Sequence, residues 1–220
     1  MTTKISVINP NSTVSMTDKI AQAAREAAPP DVEIEGRTCA GSPPSIQGAA
    51  DGELAAPHLL AELQKAEAEG ADAVVIACFD DTALAEARKL SDLPIVGIGE
   101  AGYHAAILMG KKFSVVTTLS VSVPVLEQNL EDYGLTSHCL KVRASEVPVL
   151  DLEKEGSDAR AKISDEIGRA IEEDGAEAIV LGCAGMADLA AALSQHHGVP
   201  VIDGVAAATG LARMLIGLRP

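Results

Sequence analysis

The sequence predicts an α/β protein whose parallel strands are buried on both faces. Short apolar, β-branched runs alternate with amphipathic stretches along all 220 residues, as expected for strand–helix units with helices covering both sides of a sheet. Hydrophobic residues make up 47% of the chain, yet two Phe, two Tyr and no Trp are its only aromatic residues. A chain of this length buries a sizeable core, and here Val, Ile, Leu and Ala must build it. The chain also repeats itself. Gly70-Ala-Asp-Ala-Val-Val-Ile-Ala-Cys78 recurs as Gly175-Ala-Glu-Ala-Ile-Val-Leu-Gly-Cys183, with five of nine positions identical.

Strands are predicted at 4–9, 32–38, 73–77, 95–97, 113–117, 139–143, 178–181 and 201–202, with helices in the gaps. The first helix is expected to begin near Val14, with Asn11 and Ser12 as candidate N-caps. Another runs from about Pro57, a residue suited to the first turn, and carries Leu59, Leu60, Leu63 and Ala66. Over 158–174, Ile163, Ile167, Ala170 and Ile171 fall on one helical face, and His196-His-Gly198 reads as a helix C-terminus. The Glu and Lys runs lie on the opposite, solvated faces. The repeat extends beyond the cysteine blocks. Leu84 pairs with Leu189, Leu93-Pro-Ile-Val96 with Val199-Pro-Val-Ile202, and Lys4-Ile-Ser-Val-Ile8 with Lys112-Phe-Ser-Val-Val116. Two related halves, each with four strands, fit either a small (βα)8 barrel or two open sheets.

Composition excludes several functions. With 17 basic and 32 acidic side chains the net charge is −15, which repels phosphate backbones, and four aromatic rings offer little for base stacking. Nucleic acid is therefore not an expected partner. No apolar stretch approaches the roughly 18 residues of a membrane span. The first apolar run is broken by Ser6 and ended by Asn9, too early for a signal-peptide core. A soluble, cytoplasmic protein with reduced thiols is expected. Cys39, Cys78, Cys139 and Cys183 fit neither a zinc spacing nor a compact disulfide framework, and the five histidines form no metal pattern, so no metal is expected.

Ligands of open parallel sheets bind outside the carboxyl ends of the strands. Those positions hold Asn9-Pro-Asn-Ser12, Cys39-Ala-Gly-Ser-Pro-Pro-Ser45, Cys78-Phe-Asp-Asp81, Thr117-Thr-Leu-Ser120 and Cys183-Ala-Gly-Met186. Small hydroxyl and amide groups beside glycine suit a compact polar ligand, which makes Asn11, Ser12, Ser45, Thr117 and Thr118 candidate contacts. Phe79, Asp80, Ala184 and Gly185 adjoin the two repeated cysteines. Thiols at equivalent ends of two repeats can approach opposite faces of one carbon, too far apart to form a disulfide. Racemisation without a cofactor needs that arrangement: one thiolate removes a proton and the other thiol delivers one. Where a strand gives way to a helix, free N–H groups and the helix dipole are expected to lower both thiol pKa values. Cys39 is expected near the cleft and Cys139 in packing. Gly97-Ile-Gly-Glu-Ala-Gly102 spells a dinucleotide fingerprint, but 117–123 holds no acidic residue and Glu100 occupies the turn. Tight helix–strand packing is the preferred explanation of these glycines.

Asn9-Pro-Asn-Ser12, Ile76-Ala-Cys-Phe-Asp-Asp81, Val116-Thr-Thr-Leu119, Leu181-Gly-Cys-Ala-Gly-Met186 and Pro200-Val-Ile-Asp-Gly204 together resemble the aspartate/glutamate/hydantoin racemase superfamily, most closely its hydantoin and allantoin racemase branch. The resemblance covers essentially the whole chain. It implies two pseudo-symmetric Rossmann-like (flavodoxin-like) three-layer domains with parallel four-stranded sheets and the active site between them. The halves are then 1–98 and 99–205, with a helix over about 206–220 packing back onto the first. The resemblance also implies cofactor-independent chemistry by Cys78 and Cys183 on a small-molecule substrate, in a homo-oligomer.

Amino-acid racemases of the superfamily carry Cys-Asn-Thr and Cys-Thr-His at these cysteines, where this chain has Cys78-Phe-Asp and Cys183-Ala-Gly. A roomier, less polar pocket suits a flat hydantoin or ureide ring. Phe79-Asp-Asp-Thr82 departs from the Gly-Asp-Pro-Gly-type turn common in the closest branch. Amino-acid racemisation, maleate-type cis–trans isomerisation and arylmalonate-type decarboxylation are the alternatives within the superfamily. A non-catalytic binding protein and a nucleotide-dependent enzyme are the alternatives outside it.

Overall fold

All eight predicted strands form in the computed structural model, which describes residues 3–154 and 156–219. The outermost positions of the predicted halves, 1, 2 and 220, lie outside the described residues. Strands β1 (Thr3–Asn9), β2 (Val32–Thr38), β3 (Ala73–Ile76) and β4 (Ile95–Gly97) make one sheet. Strands β5 (Phe113–Thr117), β6 (Cys139–Ala144), β7 (Ala178–Gly182) and β8 (Val201–Ile202) make the other. The orders are β2-β1-β3-β4 and β6-β5-β7-β8, and every pairing is parallel. The sequence repeat is therefore a repeat of topology in two open sheets, and the barrel is excluded.

Strand alternation explains the unbroken apolar runs. Ala73 and Val75 face one core while Val74 and Ile76 face another. Ala178 and Val180 divide from Ile179 and Leu181 in the same way. Successive side chains point to opposite faces, so a strand covered on both sides must be apolar throughout. One of the three cores is shared, because residues of both sheets contribute to it.

The helices are α1 (Val14–Ala27), α2 (Ala49–Ala68), α3 (Leu84–Leu90), α4 (Ile98–Leu108), α5 (Val123–Asp132), α6 (Ala159–Asp174), α7 (Ala190–His197) and α8 (Gly204–Ile216). None of the described helices is long and apolar enough to cross a membrane. The last helix of each half crosses over. Helix α4 packs on β7 and β8 of the second sheet, whereas α8 packs on β1, β3 and β4 of the first, and the two helices pack on each other. At their crossing a Cβ on Gly204 would lie 2.4 Å from the Ile98 carbonyl oxygen, so only glycine fits. On this packing we propose a domain boundary near residue 98, with α8 counted in the first domain.

Two helix starts differ from expectation. The N-cap of α1 is Thr13, because Asn11 instead uses its Oδ1 to accept the Thr13 amide at 2.9 Å. Helix α2 begins at Ala49, so Pro57 lies inside it. The missing N–H of Pro57 costs one helical hydrogen bond. An apolar face carrying Leu59, Leu63 and Ala66 packs into the outer core of the first domain and offsets that loss.

Part of the acidic surplus has a structural use. Arg37 on β2 is ringed by Glu35, Glu62 and Glu69. Arg143 on the equivalent strand β6 is ringed by Glu166, Glu173 and Asp174. Both arginines are buried. Hydrogen bonds from Arg143 hold the Asp174 carboxyl below its ordinary value of 3.8. Its contribution to stability is thus complete above 3.8 and fades as the pH falls through the folded value. Arg143→Met strands carboxylates that depend on it and should cost about 3 kcal/mol at neutral pH. Urea unfolding of both proteins should show this gap narrowing as the pH falls below 3.8.

Candidate active site

In a sheet of this strand order, the central pair β1 and β3 marks the point where the connections turn to opposite sides, and ligands bind beyond its carboxyl end. Both sheets direct that end into one cleft of about 400 Å³, counting its mouth. The first sheet supplies Asn11 after β1 and Ala77, Cys78, Phe79 and Asp80 after β3. The second supplies Thr117 and Thr118 at the end of β5 and Gly182, Cys183 and Ala184 at the end of β7. Among the residues singled out in the sequence, the cleft thus gathers Asn11, Cys78, Phe79, Asp80, Thr117, Thr118, Cys183 and Ala184.

Ser12, Ser45 and Gly185 are not among the residues lining it. Ser45 is buried in a loop tied down when the Ser12 amide donates to Pro43 O at 3.0 Å and the Thr13 hydroxyl to Pro44 O at 2.7 Å. Gly185 acts from behind, its backbone N–H donating to the Cys183 thiol. Cys39 is buried in the outer core of the first domain, away from the cleft. Cys139 packs at the start of β6 against the shared core. All four cysteines are free.

Local hydrogen bonds orient the polar lining. Asn9, buried at the end of β1, donates to Asn11 Oδ1 at 2.9 Å and to Thr17 Oγ1 at 3.0 Å. With its oxygen engaged there and by Thr13, Asn11 turns its amide nitrogen toward Met16 Sδ at 3.1 Å, a weak acceptor beside the cleft. The Thr117 hydroxyl donates to Gly182 O at 2.8 Å, which locks β5 to β7 just below Cys183.

The turn after Cys78 is held by the buried carboxyl of Asp81. It accepts the Gly99 amide at 3.0 Å, the Glu100 amide at 2.7 Å and the Tyr133 hydroxyl at 2.9 Å. Asn129 of α5 adds a bond to Asp80 O at 2.9 Å. Asp81 adopts φ 49°, a conformation unusual outside glycine that these contacts sustain. A Cβ on Gly97 would sit 2.1 Å from Asp81 Oδ1, and one on Gly99 2.4 Å from Phe79 O. The nucleotide-like glycines therefore seat the Cys78 turn, and Asp81 occupies the α4 amides that a phosphate would need.

Residues 5–212 match the sequence model of the Asp/Glu/Hydantoin racemase family. The chain belongs to that family. It is 46% identical over 213 residues to a hydantoin racemase of Rhizobium meliloti, a match covering 97% of this chain and 88% of the relative. The allantoin racemase from Klebsiella pneumoniae superposes with a TM-score of 0.95 at 41% identity, covering 98% of this chain and 88% of that one. Allantoin racemase from Pseudomonas fluorescens gives 0.94 at 40% identity, with 98% and 91% covered. The protein is an isomerase of the racemase type, in the two-domain fold that the motifs implied.

Several residues of this cleft had no local sequence signal. Met16 of α1, Ile46 of the loop before α2, Ser122 before α5 and Val149 all line the cleft. Val149 opens a short 3-10 helix, Val149–Glu153, that reaches across from the second domain. Its amide donates to Gln47 Oε1 at 3.2 Å, and Lys19 pairs with Glu153 at 2.7 Å. Pro10, Ala77 and Gly182 also line the cleft; as members of the quoted motifs, they were within reach of the sequence.

The expected lowering of the thiol pKa values is overturned. Burial pushes the Cys78 thiol well above its ordinary value, and the charge of Asp80 adds to the shift. Burial also pushes Cys183 up, to about 11, against the Gly185 N–H that lowers it. Only Cys183 adjoins helical turns directly, as the N-cap of the 3-10 helix Ala184–Leu189. Cys78 is separated from α3 by a turn, so helix N–H groups are not aimed at it. Iodoacetamide should label both cysteines slowly near neutral pH. Peptide mass spectrometry should show labelling of Cys183 climbing toward pH 11, with Cys78 lagging behind; rapid labelling at neutral pH would contradict this electrostatic picture.

Proposed function

We propose that this racemase inverts C5 of a 5-substituted hydantoin or a related ureide such as allantoin, by proton transfer between Cys78 and Cys183. The observation that carries the reading is the delivery of one thiol from each sheet, at equivalent strand ends, into a single cleft. A thiolate on one face removes the C5 proton, and the thiol on the other face protonates the planar carbanion. Inversion follows, and the enzyme serves either enantiomer by exchanging the two roles.

The lining suits such a substrate. Asn11, Thr117, Thr118 and Ser122 are neutral polar groups, and Asp80 is the carboxylate among them. Asn11 presents its amide nitrogen, a donor for a ring carbonyl on which negative charge develops as the proton leaves. Asp80 would repel a dicarboxylate. Ile46, Phe79 and Val149 provide apolar walls for a flat ring. The ring carbonyl next to C5 itself delocalises the carbanion, so this chemistry calls for no cofactor. The names of the relatives, hydantoin racemase and allantoin racemase, point to the same substrate class. A cytoplasmic homo-oligomer belongs to the same proposal, the cytoplasm being where unpaired thiols stay reduced.

Incubating enantiopure 5-benzylhydantoin or allantoin with the protein in deuterium oxide should abolish optical rotation and place deuterium at C5. Cys78→Ser and Cys183→Ser should each lower racemisation by about 1,000-fold or more, retaining at most exchange from one enantiomer. Full activity in either variant would sink the two-thiol reading.

A further inference from the structure

A two-thiol inversion raises a question of proton bookkeeping. One sulfur must be ionised while the other is protonated, the roles reverse for the opposite enantiomer, and both thiols are half-buried where ionisation is unfavourable. A group able to hold one proton and to serve both sulfurs would ease that ionisation. We propose that Asp80 is a third acid–base residue of the site, taking the proton of whichever thiol acts as base and returning a proton to the other sulfur when turnover ends. The proposal rests on the racemase reading above and adds a residue that the two-cysteine scheme does not use.

Placement supports the assignment. Asp80 lines the cleft together with Cys78 and Cys183. Its backbone N–H donates to the Cys78 thiol. Its negative charge pushes the pKa of both thiols up, beyond the effect of burial. Its Oδ2 is buried and has no hydrogen-bond partner among the described residues, so one carboxylate oxygen is free to accept a proton. Asn129 fixes the backbone of the turn through Asp80 O at 2.9 Å. Burial raises the Asp80 pKa to about 7, with the nearby charge of Asp51 adding to the shift and the Gly48 N–H opposing it. A carboxyl of that strength exchanges protons with a thiol more readily than an ordinary carboxylate does.

The cycle balances. The S–H bond of the first cysteine breaks, its electron pair stays on sulfur, and an O–H bond forms at Asp80. The thiolate then takes the C5 proton while the opposite thiol gives up its own to the other face of the ring. The first cysteine is now protonated and the second is a thiolate. Asp80 passes its proton to that thiolate, which restores two thiols and one carboxylate around an inverted product. A position that senses both sulfurs is what this exchange needs, because the proton is collected from one and delivered to the other.

Asp80→Asn separates proton transfer from simple charge repulsion. Removing a negative charge from beside the thiols should make both ionise more easily, so iodoacetamide labelling of Cys78 and Cys183 should quicken several-fold. If Asp80 only repels, racemisation of 5-benzylhydantoin should rise with it. If Asp80 carries the proton, racemisation should instead fall by about 100-fold, while Asp80→Glu recovers most of the activity. The wild-type kcat/KM should rise with pH through about 7 as Asp80 ionises, and this rise should be absent from Asp80→Asn. Racemisation by Asp80→Asn at or above the wild-type rate would overturn the proposal and leave the two-thiol reading intact. Unchanged labelling in an inactive Asp80→Asn would also overturn it, since the carboxyl would then not act on the sulfurs. A wild-type protein that exchanges no C5 proton would remove the functional reading and this inference together.

Discussion

The crossing of α4 and α8 is the constraint on which the rest of the structure depends. Each helix leaves one sheet and covers the other, so the inner faces of both sheets share one core. The four aromatic side chains of the chain meet there. Tyr103 of α4 packs edge-on to Phe79 at 5.3 Å, stacks on Phe113 at 5.8 Å and tilts against Tyr133 at 6.4 Å. These contacts join the turn after Cys78 to the second sheet and to α5. With the domains fixed in this way, the ends of β3 and β7 hold a stable mutual position. A reaction in which two thiols work on opposite faces of one carbon tolerates little relative movement of its two halves.

That fixed geometry has an electrostatic cost. The cleft lies between two packed domains, so the half-buried sulfurs are largely screened from water, and that desolvation raises the pKa of both thiols. A thiolate made there is a strong base, which favours removal of a carbon-bound proton but makes the thiolate rare. Carboxylates elsewhere are managed differently. Around Arg37 and Arg143 they are paired with a buried cation, and hydrogen bonds from Arg143 hold Asp174 below its ordinary value. Asp81 accepts three hydrogen bonds and still has its pKa pushed up to about 7 by burial. In this protein the surroundings of each acid decide its role, and position in the sequence does not disclose them.

The strands were legible because a sheet covered on both faces requires uninterrupted apolar, β-branched runs, and turn residues bound each run. The start of α2 was not, because Pro57 is favourable in a first turn and gives no sign of the eight helical residues preceding it. The meeting of Cys78 and Cys183 in one cleft was legible because the repeat made them equivalent. Ser45 looked like a ligand contact by residue type and loop position, but hydrogen bonds among 12, 13, 43 and 44 hold its loop with that side chain buried. Val149 offered no signal, because it reaches the cleft through an interdomain bond to Gln47, 102 positions away in the chain.

By itself the sequence determined the strand–helix order, the two-fold repeat, the family and the two cysteines, because each is written in local periodicity or in short motifs. The tertiary structure decided the rest. It turned two repeated strand ends into one cleft, reversed the expected direction of the thiol pKa shifts, and placed Asp80 in that cleft beside both cysteines. Those outcomes depend on burial and on distances between segments far apart in the chain. Solvation and Coulomb interactions act through space, and only the packed fold specifies which groups they join.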